Sequence, residues 1–110
     1  MTVASTHTQV CLNAWINCEN LLNNLAQMKT GISKKITKVV DECAFICMGT
    51  FHALKSSSVN LARYALLCVG ICEECAALCE KQPDEYFLEC ARACRQCSER
   101  MTLFAFTNLQ

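Results

Sequence analysis

The run CVGICEECAALCEKQPDEYFLECARACRQCSERM, residues 68–101, carries seven cysteines in two groups. Successive residues of an α-helix turn by about 100°, so Cys68, Cys72, Cys75 and Cys79 fall near 0°, 40°, −20° and 20°. Cys90, Cys94 and Cys97 repeat the same stripe after the break at Pro83 and Asp84, and CxxxCxxC occurs once in each group. Glu73, Glu74 and Glu80 flank the first stripe, and Arg92, Arg95, Gln96 and Glu99 flank the second. The charged sides face water, so the sulfur sides face inward.

The pattern extends toward the N-terminus. Cys43 and Cys47 are one helical turn apart, and Cys11 and Cys18 are two. Helical periodicity predicts segments over about 8–28, 33–54 and 59–80, and a fourth from about 84 to 104 or beyond. Gly31 suits a C′ position, Ser56, Ser57 and Ser58 offer a polar break with N-cap candidates, and Asp84 and Glu85 put acids on a first turn. Helices of about 20 residues, roughly 30 Å long, joined by short loops predict an all-α, antiparallel up-down-up-down four-helix bundle. The 110 residues form one domain, residues 1–110.

Composition excludes several functions. Ten bases balance ten acids, which opposes a nucleic-acid binder. A hydrophobic content of 53% with 18% charge opposes disorder, and three glycines with one proline oppose an all-β fold. No apolar run reaches the length that spans a membrane. Nothing assembles a nucleophile, base and oxyanion site, so the reading is not an enzyme. The odd cysteine count of eleven and the absence of a basic start followed by an apolar run oppose a secreted disulfide scaffold. The expectation is a cytoplasmic protein with reduced thiols.

Eleven inward cysteines can be read as small core filler, as disulfides or as metal ligands. Filler underpacks a bundle core, and cysteines one turn apart on a helix suit bridges poorly. A radical-SAM cluster motif sits in a loop, and a thioredoxin CxxC needs a βαβ setting; neither matches these helices. Soft thiolates favour Cu(I), zinc or iron–sulfur clusters. Charge separates the metals. No Lys or Arg lies on the stripes, and a dry core does not hold uncompensated charge. One Cu(I) per thiolate leaves the core neutral. Four zinc ions bring eight positive charges, and eleven thiolates would keep three negative charges uncompensated. A general zinc or soft-metal sink and a redox-sensing structural bundle stand as alternatives.

The segments CVGICEECAALCEK (68–81) and YFLECARACRQCSERM (86–101) resemble the repeats of the small cysteine-rich four-helix-bundle proteins that store copper. The resemblance implies many Cu(I) ions bound by thiolates along the interior, and a homotetramer. Trp15, Leu22, Val40, Phe51 and Ala65 occupy or border stripe positions, which implies lower capacity and a metal chain broken into clusters. The predicted ligands are Cys11, Cys18, Cys43, Cys47, Cys68, Cys72, Cys75, Cys79, Cys90, Cys94 and Cys97, with Met48 and His52 at a mouth that also collects His7 and Met101. Met48 and Met101 as ordinary core, with His52 a surface polar residue, is the alternative. Lys29, Lys34, Lys35 and Lys38 around the first loop form a solvated end or a docking patch for an acidic partner, such as a copper donor or acceptor. Phe104, Phe106 and Leu109 form an apolar tail that plugs the bundle or packs on another subunit.

Overall fold

The computed structural model describes residues 3–28 and 33–108. Its helices are α1 (Val3–Gln27), α2 (Lys34–Ser56), α3 (Leu61–Cys79) and α4 (Glu85–Asn108), with no strand among the described residues. Helix α1 starts five residues before its predicted boundary, and α4 runs on past Phe104 to Asn108, within its open-ended expectation. Neither edge carries a glycine or proline to stop the helix. Lys29, Gly31 and Leu109 lie outside the described residues.

Each helix packs on its sequence neighbours and α1 also packs on α4, so the four stand in a ring in chain order. The sulfur contacts set their directions. Cys11 meets Cys97 while Cys18 meets Cys90, so α1 and α4 run oppositely. Cys43 meets Cys72 while Cys47 meets Cys68, so α2 and α3 do the same. Cys68 meets Cys97 while Cys79 groups with Cys90, which orients α3 against α4.

Local chemistry fixes the ends. The Ser33 hydroxyl accepts the Lys35 amide at 3.2 Å, and Asp84 Oδ1 accepts the Tyr86 amide at 2.8 Å. Ser57 closes α2 in the left-handed region, at φ 53° and ψ 47°, with its N–H on the Ala53 carbonyl. Gly49 allows α3 to approach α2, since a Cβ there would stand 2.8 Å from Tyr64 Cε1. On the surface Arg95 ties α3 to α4, donating to Glu73 at 2.6 Å and to Glu80 at 2.7 Å.

The core has three parts. Leu21, Leu25, Ile36, Val40 and Phe87 fill the end beside the α1–α2 and α3–α4 connections, sulfur fills the middle, and Thr50, Ala65 and Met101 fill the far end. Thr50 Oγ1 is satisfied there by donating to the Ile46 carbonyl at 2.8 Å.

Ser57→Gly removes the Cβ penalty of the left-handed cap and should stabilise the metal-free bundle by about 1 kcal/mol. Urea denaturation under reductant checks this; an unchanged midpoint would show that the cap carries no strain.

Candidate metal centre

All eleven cysteines are free and none exposes any surface. Their sulfurs form a connected column. Cys11 contacts Cys97 at 3.8 Å, and Cys97 contacts Cys68 at 3.5 Å. Cys68 reaches Cys47 at 3.9 Å, Cys47 reaches Cys72 at 3.6 Å, and Cys72 reaches Cys43 at 3.9 Å. Cys43 meets Cys94 at 3.7 Å, Cys94 meets Cys18 at 4.0 Å, and Cys18 meets Cys90 at 3.7 Å. Cys75, Cys79 and Cys90 complete the far end with sulfurs within 4.8 Å of one another. From Cys68 to Cys79 the column rises about 16 Å along α3.

Two four-sulfur groups lie within it: Cys47, Cys68, Cys72 and Cys97 nearer the α1 start, and Cys18, Cys43, Cys75 and Cys94 below. Cys75 also belongs to the three-sulfur group, so the lower sets share a ligand. Val40 and Ala65 are buried at opposite ends of the stripe, while Trp15, Leu22 and Phe51 pack beside it, half-buried. These residues shorten the column of sulfurs and do not interrupt it.

Burial in this setting disfavours the thiolate form. Hydrogen bonds to Cys68 and Cys97, then burial, hold the Cys11 thiol far above its ordinary value of 9.0. Hydrogen bonds to Cys43 and Cys75, with burial, do the same for Cys18. Contacts with Cys43 and Cys47 raise Cys72. Cys43 and Cys68 are pulled the other way, chiefly by Cys18 and Cys11 respectively. Cys94 and Cys97 are likewise pulled down, by Cys18 and Cys11 first, so neighbouring sulfurs share protons within the column while burial of each one opposes its charged form.

The mouth residues separate. His7 and Met101 are buried at 6% and 0% exposure, one helical turn beyond Cys11 and Cys97 on the same stripes. The His7 ring stands edge-on to Phe104, with centroids 5.2 Å apart, and its buried Nδ1 has no hydrogen-bond partner. Burial first, and Arg100 second, hold its pKa below 6.5, so the imidazole is neutral near pH 7. Met48 and His52 fall off the sulfur stripe of α2 by helix phase, and His52 joins none of the compact sulfur groups. Met48 is half-buried, and exposed His52 packs sideways on Phe51 and Trp15 at 5.3 and 6.1 Å. Five residues separate Cys47 from His52, which turns its side chain off the sulfur face. The sequence pattern puts His7 and Met101 at this end but outside the predicted ligand set.

Lys34, Lys35 and Lys38 are exposed. Phe104 packs inward beside His7, whereas Phe106 stays 73% exposed.

Residues 2–105 match the family described as copper storage protein. The fold matches that of a solved Cu(I)-bound copper storage protein, BsCsp3, with a TM-score of 0.88 and 22% identity, covering 94% of this chain and 99% of that one. A comparison with curated protein sequences gave no significant match.

A folded-state thiol pKa above the unfolded value contributes stability that is full below about pH 9 and is lost as pH rises through the folded value. The metal-free bundle should therefore weaken between about pH 9 and 11, by up to about 1.4 kcal/mol per pH unit for each thiol whose pKa the fold raises, Cys11, Cys18 and Cys72 among them. Urea midpoints under reductant check this; a flat profile would mean that the column already holds thiolates.

Proposed function

The chain belongs to the copper storage protein family, and on that premise we propose that it takes up and holds several Cu(I) ions as thiolates of its eleven cysteines. The observation that carries the reading is the unbroken column of fully buried sulfurs. Each Cu(I) replaces one thiol proton, so charge in the core stays constant as the ions accumulate. Contacts of 3.5–4.0 Å let one sulfur bridge two ions, and the column fills without moving the helices. The role is storage and buffering, with no catalytic step.

Copper enters at the end where α1 begins. Neutral His7 and the Met101 thioether are soft, uncharged donors that accept the ion and pass it to Cys11 and Cys97. His7 Nδ1 supports this assignment because it is buried without a partner, a state that costs stability unless a ligand uses it. Met48 and His52 stand outside this ligand set.

Reduced thiols of this number suit the cytoplasm. The chain works as a homo-oligomer, a tetramer by family resemblance, and exchanges copper with a donor or acceptor protein. Exposed Lys34, Lys35 and Lys38 form one basic patch for an acidic partner.

A second reading, a zinc or other soft-metal sink, draws on the two four-sulfur groups, whose compactness suits tetrahedral metal. Anaerobic titration with Cu(I) against a chromophoric chelator separates the two. Storage expects roughly one Cu(I) per thiolate at saturation, displacement of zinc, and unchanged far-UV circular dichroism. Fewer than about three ions, or zinc retained against Cu(I), would favour the sink. His7→Ala should slow uptake about tenfold in stopped-flow mixing while leaving capacity intact. Equal rates would remove His7 from the path.

A further inference from the structure

Gly70 lies in the middle of α3 on its exposed side, and a Cβ there would meet nothing within 4 Å. A mid-helix glycine weakens a helix, and no close approach within the chain requires this one, unlike Gly49. Around it, Arg63, Leu67, Gly70 and Glu74 fall within about 60° of the helix circumference, roughly opposite the sulfur stripe. All four are exposed, Leu67 to 58%. Neither Arg63 nor Glu74 has an ion pair within the chain among the described residues. They stand about 16 Å apart along one helix, too far to pair with each other.

The order of these residues is self-complementary. An antiparallel copy of α3, related by a two-fold axis between residues 68 and 69, sets residue 67 opposite 70 and residue 63 opposite 74. We infer that the outer face of α3 docks a second copy of this chain, Leu67 seating over Gly70 of the partner subunit and Arg63 facing Glu74 of the partner subunit. Both contacts occur twice, as an isologous interface requires. Glycine lets the partner's leucine reach the helix backbone, and the two charge pairs set register and direction. Leu66, 52% exposed, and Phe106, 73% exposed, border an apolar cleft with Val69 and Ala105 and widen the contact beyond one helix toward the area a stable dimer needs.

The inference deepens the homo-oligomer reading above by naming the surface. Sedimentation velocity on the reduced, metal-free protein tests it. Wild type should sediment as a dimer or larger. Gly70→Leu places a side chain where it touches nothing in its own chain, so the fold is kept, yet it should weaken association at least about tenfold. Arg63→Glu and Glu74→Arg should each weaken it about tenfold, and the double exchange should restore it to within about threefold. Association that survives Gly70→Leu, or a double exchange that fails to restore it, overturns this surface and leaves a homo-oligomer standing through another face. A monomeric wild type overturns both. Cu(I) capacity should be equal in every variant, because the sulfurs lie on the opposite side of α3.

Discussion

The interior of this bundle is made of ionisable groups that must remain uncharged. Eleven sulfurs sit fully buried, and each lies within 4.8 Å of at least one other sulfur. A thiolate there has no cation to face and no water to solvate it. The proton on each sulfur therefore balances its charge, and any ion that displaces the proton must bring the same single positive charge. This condition selects a soft monovalent cation before any detail of coordination is considered.

A sulfur core also sets a packing problem. Cysteine is small, and a bundle lined with it gives up the bulk that leucine would supply. The chain places larger side chains at the ends: Leu21, Leu25, Ile36 and Phe87 at one, Met101 and Thr50 at the other. Caps at Ser33, Ser57 and Asp84 set the helix limits without metal. A scaffold complete before loading fits storage, because ions can come and go without the cost of refolding.

The fold was legible because cysteine spacing and helix period coincide. Positions three and four apart kept one face through 100° turns, and the charged residues between them marked the other. Helix limits were less visible: α1 began ahead of its expected start, where no breaker stood. The proposed entry end was legible in part. His7 precedes Cys11 by four residues and Met101 follows Cys97 by four, so both continue a sulfur stripe. His52 lies five residues from Cys47 and turns toward Trp15. Stripe arithmetic carried one step further separates the two pairs. The unbroken column could not be read from one helix at a time, since gaps at Val40 and Ala65 fall at the ends only once all four helices are in register.

The most direct test of the central claim is the number of protons released as Cu(I) is added to the reduced protein in weakly buffered, oxygen-free solution near pH 7. A neutral thiol column expects close to one proton per Cu(I) through most of the titration. Release well below one would mean that the sulfurs were already ionised, and would contradict the charge exchange on which the proposed storage depends.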